Sequence, residues 1–209
     1  TPDGTLFELQ RHDGDYLIHA DGYELMTSGA HSSEDAMMSI ACPSPSPNAC
    51  VLVGGLGMGY TLAATLALMP LNGTVVVSEL IPEIVDWNRG PLGPLAGNPL
   101  NDLRTDLVVG DVADVIRRST SQFDAILLDI DNSYNSFSQA PNFWLYPPEG
   151  LAAIRSALRP GGGLAIWSVG TDRTFERNLR KAGFAASTHP VRERNRRGGH
   201  HSIMLGRVR

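Results

Sequence analysis

The chain has 209 residues, 17 Lys and Arg against 22 Asp and Glu, a formal net charge of −5 and 42% hydrophobic residues. That length suits one α/β domain with a full core, and the acidic balance argues against general binding to nucleic acid or to an anionic membrane surface. Cys42 and Cys50 alone cannot build a disulfide framework or a cysteine zinc site; no apolar run approaches the roughly 20 residues of a membrane span, and no basic opening followed by an apolar stretch marks export, so a cytoplasmic protein is expected.

From Leu6 to Thr27, short apolar and polar alternations are separated by Asp13-Gly14 and Asp21-Gly22, which predicts a small antiparallel β-meander. A helix is expected from about Ser33 to Ala41, capped by Ser32 or Ser33, and the prolines at 43, 45 and 47 end it. This divides the chain into an N-terminal unit, residues 1–47, and a main domain, residues 48–209. Beyond Asn48, strands expected at 50–54, 74–79, 106–109, 123–129 and 163–169 alternate with helices at 58–69, 82–88, 112–118, 148–158 and 172–182. That alternation predicts a mostly parallel sheet covered on both faces. Ala185–His189 and Ser202–Leu205 have no helix between them and should pair as an antiparallel hairpin, with Arg192, Arg194, Arg196 and Arg197 in its solvated tip.

The run from Cys50 to Thr61 passes from an apolar strand through Gly54, Gly55, Gly57 and Gly59 into a helix, the form of a nucleotide-binding turn. In such sheets the ligand lies beyond the carboxyl ends of the strands, where strand order reverses. Glu79 ends the second strand, 20 residues after Gly59, where a carboxylate can accept both ribose hydroxyl protons. Asp111 follows the third strand and either caps the next helix or accepts an adenine amino group. Asp129 ends the fourth strand and Asp131 follows it, where a carboxylate takes a proton from a nucleophile or offsets a cationic electrophile. The polar, aromatic stretch after them, with Asn132, Tyr134 and Tyr146, is a candidate substrate lid. His31 and Glu34, around the start of the N-terminal helix, are further candidates for substrate contact. His200 and His201 begin the last strand, so one should point inward. No helix carries paired ligands at i and i+4, and no metal site is expected.

The glycine loop, Glu79, Gly110-Asp111, the Asp129 strand end, Leu158-Arg159-Pro160-Gly161-Gly162 and the closing hairpin resemble, in that order, class I S-adenosylmethionine-dependent transferases over residues 49–209. The resemblance implies a Rossmann-like α/β fold, mostly parallel and seven-stranded with the last strand antiparallel. Within that group the chain is most similar to spermidine synthases, because a β-meander and helix precede the loop and Asp129-Ile130-Asp131-Asn132 matches their aspartate-rich catalytic loop. By that resemblance Gly55, Gly57 and Glu79 match nucleoside-binding positions for S-adenosylmethionine or its decarboxylated form, Asp111 the adenine site and Asp129 the catalytic aspartate, and Glu34 carries over as a substrate contact; by their place in the chain Gly59 joins the donor site, Asp131 is a second catalytic candidate, and His31, Asn132, Tyr134 and Tyr146 are candidates to meet a small-molecule acceptor.

Two departures stand out. Spermidine synthases carry an aspartate in the glycine loop, where this chain has only Leu56, Met58 and Tyr60 among its glycines; Ser32-Ser33-Glu34 replaces their Tyr-His-Glu run. A loop aspartate suits the bare amine of the decarboxylated donor and repels the carboxylate of the intact one. The sequence therefore predicts methyl transfer to an oxygen or nitrogen nucleophile. Aminopropyl transfer to a polyamine is the alternative, and a non-catalytic nucleoside-binding scaffold is a third reading. The edge-exposed meander makes a homodimer a further expectation.

Overall fold

The computed structural model describes residues 4–29, 31–130, 144–192 and 200–209. Asp13, Gly14, Asp21 and Gly22 all take positive φ, the geometry of two-residue hairpin turns, and they join β1 (Phe7–His12), β2 (Asp15–Ala20) and β3 (Tyr23–Thr27) into the expected antiparallel sheet. Ile18, Phe7, Leu9, Tyr16 and Met26 pack with Met58, Tyr60 and Leu92 of the main domain.

Helix α1 (Ser32–Ala41) buries Ser33, Glu34, Met37, Met38 and Ala41, the spacing of one helical stripe. Its N-cap position is His31, one residue before the expected Ser32 or Ser33, and the His31 side chain makes no capping bond. The stripe enters the same apolar cluster as Val51, Val53, Val75, Val77, Leu127 and Ile203. The expected boundary near residue 47 thus separates two sheets but not two cores.

The main sheet is built from β4 (Cys50–Gly54), β5 (Thr74–Glu79), β6 (Thr105–Val109), β7 (Phe123–Leu128), β8 (Leu158–Val169), β9 (Phe184–Arg192) and β10 (His200–Val208), in the spatial order β6-β5-β4-β7-β8-β10-β9. β10 runs antiparallel to both β8 and β9, as the missing helix predicted. Alternate residues serve opposite faces. Val51 and Val53 pack on the side of α1, α2 (Tyr60–Leu68) and α3 (Pro82–Arg89), whereas Leu52, Ile126, Leu128 and Leu164 pack with residues of α4 (Val112–Arg118), α5 (Pro148–Ala157) and α6 (Arg173–Lys181). Two short 3-10 turns, Gly93–Ala96 and Pro99–Asn101, lie between α3 and β6. Strand order reverses between β4 and β7, which places the expected ligand crevice at their carboxyl ends. Among the described residues no helix is long and apolar enough to cross a membrane.

Candidate functional site

At that crevice the chain leaves β4 and turns through Gly55, Gly57 and Gly59, with φ of +92°, +51° and +85°, before α2 starts at Tyr60, two residues later than expected. Protein fills the space that each glycine leaves. A Cβ on Gly55 would lie 2.3 Å from the Asp129 carbonyl oxygen, on Gly57 3.0 Å from Met26 Sδ, and on Gly59 3.0 Å from Asn88 Oδ1. The Gly55 N–H donates to Ser78 O at 2.9 Å, Leu56 N–H to Glu79 Oε2 at 2.8 Å and Gly59 N–H to Leu56 O at 2.8 Å. These three amides are satisfied within the protein and are not open to a ligand.

Glu79 is buried at the end of β5 and accepts the Leu56 and Ile81 N–H groups, each at 2.8 Å, one on each carboxylate oxygen. Burial pushes its pKa above the ordinary carboxylate value, and the backbone N–H groups of Ile81, Leu56, Gly57 and Leu80 oppose the rise. A carboxylate offers about four lone-pair positions and these backbone groups engage them, so Glu79 holds the loop first and a ribose hydroxyl there has to share an oxygen with one of them. Gly110 N–H donates to Glu79 O at 2.8 Å and brings Asp111 to the same rim. Asp111 caps α4, its Oδ1 accepting the Ala113 N–H at 2.8 Å. Of the two roles open to it from sequence, the cap is present and engages one oxygen.

Asp129 follows β7, tied to β4 by its N–H to Gly54 O at 2.9 Å. Thr61, on the first turn of α2, donates its hydroxyl to Asp129 Oδ2 at 2.5 Å. Glu34 is buried on α1 and accepts the Ser33 hydroxyl at 2.5 Å; Trp167 Nε1–H, from β8, donates to Ser33 Oγ at 3.0 Å. Burial raises the Asp129 carboxyl to about 7, the negative charge of Glu34 adds to the rise, and the Thr61 hydrogen bond works against it. Two acids from distant parts of the chain thus meet where ionising both is costly. Such an enclosure holds a proton near neutrality and attracts a cation.

The β3–α1 connection lies over the glycine loop. Met26 sits against Gly57, Tyr60 Oη donates to Ser28 O at 3.2 Å, and the His31 ring stacks on Tyr60 with centroids 4.1 Å apart. His31 Nδ1 also lies 3.1 Å from Asp35 Oδ2. His201 packs its ring 5.0 Å from that of Trp167 and buries Nδ1 without a hydrogen-bond partner among the described residues, so it is inward-facing as expected. Tyr146 is elsewhere. Its ring meets Phe175 of α6 edge-on at 5.5 Å, in the cluster on the sheet face opposite α1. Asp131, Asn132 and Tyr134 lie outside the described residues, as do Arg194, Arg196 and Arg197 and the side chain of Arg192.

Sequence reasoning missed Thr61, Ser33, Trp167, Asn88 and Met26. Thr61 had a local signal, a hydroxyl on the helix turn directly after the glycine loop. Ser33 lies beside its acceptor Glu34 and Asn88 one turn from Ile84, but the contacts that build the site, Trp167 to Ser33, Asn88 to Gly57 and Met26 to Gly57, join residues distant in sequence and left no local signal.

A family model described as S-adenosyl-L-methionine-dependent methyltransferase matches residues 96–201. The polyamine aminopropyltransferase of Nitrosomonas europaea is 32% identical over 120 residues, covering 57% of this chain and 35% of the relative. That of Saccharolobus islandicus is 28% identical over 132 residues, covering 63% of this chain and 42% of the relative. The chain therefore aligns with less than half the length of these curated relatives. Among solved structures, spermidine synthase from Thermotoga maritima superposes with a TM-score of 0.77 at 17% identity, over 98% of this chain and 69% of the other. A spermidine synthase in complex with the transition-state analogue AdoDATO gives a TM-score of 0.73 at 17% identity over the same shares. At that identity the likeness establishes the fold.

Proposed function

The chain belongs to the S-adenosyl-L-methionine-dependent methyltransferase family, and we propose that it is a transferase that moves an aminopropyl group from decarboxylated S-adenosylmethionine to an amine of a small polyamine. The enclosed Glu34–Thr61–Asp129 group carries this reading. A protonated amine is the ligand that a buried carboxylate beside a half-buried one attracts, and a carboxyl whose pKa is near neutral can take the proton the attacking nitrogen must lose. The named activity of the curated relatives supports aminopropyl transfer over the methyl transfer expected from sequence.

The donor, when bound, supplies a sulfonium whose adjacent carbon is open to attack, its carbon–sulfur bond breaking with the electron pair to sulfur. The chain's own residues do the rest. Glu79 accepts the ribose hydroxyl protons and Asp111, through the oxygen not used in the cap, an adenine amino proton. The glycine loop sets where the donor lies. Glu34 holds the acceptor's positive charge, and Thr61 fixes the Asp129 carboxylate so that its second oxygen receives the proton from nitrogen as the new carbon–nitrogen bond forms. Holding the reactants in line is worth up to roughly 7–11 kcal/mol of barrier, more than the 10²–10⁴-fold contribution of a general base.

One observation favours a second reading, methyl transfer from intact S-adenosylmethionine: the glycine loop carries no acidic side chain, and Met26 rather than a carboxylate faces Gly57. One experiment separates the readings. The protein is titrated with both donors, incubated with each and a panel of linear diamines, and the products are weighed by mass spectrometry. Gain of an aminopropyl unit by a diamine is the expected result; gain of a methyl group by the acceptor moves the assignment to methyl transfer. Binding without any product overturns both and leaves a nucleoside-binding protein.

A further inference from the structure

Glu79 is not the only group that grips the glycine loop from the β5–α3 side. Asn88, near the end of α3, is 3% exposed, and its Nδ2 donates to the carbonyls of Gly57 at 2.8 Å and Ile84 at 2.9 Å. Both neighbours are acceptors, so hydrogen bonds form only with the amide nitrogen turned towards them. The other end of the amide is poorly served. Oδ1 is buried, accepts no hydrogen bond among the described residues, and would lie 3.0 Å from a Cβ on Gly59. A buried acceptor without a partner costs stability that an apolar side chain of similar size would not. What only the amide supplies there is a donor to the Gly57 carbonyl.

Leu56 N–H is held by the Glu79 carboxylate and the Gly57 carbonyl by the Asn88 amide, so one strand–helix unit clamps two neighbouring residues of the loop. Gly57 has φ +51° and Gly59 φ +85°, and packing of Asn88, Ala96 and Pro99 around Gly59 leaves no room for a side chain there. We propose that Asn88 is a positioning residue for the donor: by holding the Gly57 peptide it shapes the loop before the donor arrives, so that binding does not spend free energy on ordering it. The proposal rests on the donor-binding reading above. An asparagine kept for the fold alone would, on removal, lower stability; one kept for the loop lowers donor affinity in a protein that is still folded.

The test uses Asn88→Leu and Asn88→Asp beside the unaltered chain, with thermal unfolding and calorimetric binding of S-adenosylmethionine and its decarboxylated form from about pH 5 to about pH 8. Asn88→Leu keeps the volume and removes the donor; its Kd should rise about tenfold, the equivalent of one lost hydrogen bond, while its unfolding midpoint moves little. In Asn88→Asp an ionised carboxylate faces two carbonyls, whereas the protonated acid can donate to Gly57 O. The ratio of its Kd to that of the unaltered chain should therefore fall as the pH falls. Unchanged affinity in Asn88→Leu with a lowered midpoint, or a pH-independent ratio in Asn88→Asp, overturns the proposal; if Asn88→Leu does not fold, the Asn88→Asp series decides. Failure of the unaltered chain to bind either donor overturns the donor reading and this proposal together, and is thereby distinguished from failure of the proposal alone.

Discussion

Asp129 shows how a single side chain can be held at odds with the fold that carries it. Its carboxyl is raised to about 7 by burial first and by Glu34 second, whereas in the unfolded chain an aspartate titrates near about 3.9. The folded state binds that proton more tightly, so the stabilising contribution is complete below the unfolded value and is lost as the pH rises through the folded one. Asp129→Asn removes the charge and keeps an acceptor for the Thr61 hydroxyl. Its unfolding midpoint should exceed that of the unaltered protein at about pH 8 and converge with it towards about pH 4, as thermal scans across that range would reveal. Turnover should fall by roughly 10²–10⁴-fold, with donor affinity much less affected. A variant that keeps its rate removes Asp129 from catalysis. The carboxylate was legible in sequence as an acid after an apolar strand; its proton affinity was not, because Glu34 lies far away along the chain and only packing of α1 against the sheet brings the two charges together.

At the scale of elements, the alternation of strands and helices from residue 50 onward was readable because hydrophobic periodicity is a local property. The reversed last strand followed from a missing helix, since a short loop cannot return a chain to run parallel. The glycine loop was read as a cradle for a ligand, yet its glycines also meet protein. A substitution pair isolates this. Gly55→Ala would set a Cβ 2.3 Å from Asp129 O at φ +92° and should cost about 2–5 kcal/mol. Gly97→Ala, at φ +74° with nothing within 4 Å, should cost only the backbone strain of about 1–2 kcal/mol. Denaturant titration of both checks the ordering, and equal losses would mean that the β4–β7 approach is not what requires Gly55.

For the whole molecule, the N-terminal meander covers the glycine loop and leaves apolar side chains exposed. One side of it closes over the glycine loop through Met26 and Ser28, and its exposed residues include Leu6, Tyr23 and Leu25. Unpaired strand edges with apolar neighbours favour pairing with a second copy, and a dimer mass by light scattering is the expected result; a monomer at all concentrations removes the idea. The amino-acid order by itself determined the elements, their parallel arrangement and the acids at the strand ends, because each depends on periodicity, turn chemistry or position within one strand–turn–helix unit. Only the tertiary structure decided that α1 belongs to the core of the main sheet, that burial raises the Asp129 carboxyl with Glu34 adding to the rise and Thr61 opposing it, that Asn88 holds Gly57, and that Tyr146 turns away to Phe175. Those relations join residues far apart in the chain, and which of them meet is settled by how helices pack on a sheet, a choice that no local pattern encodes.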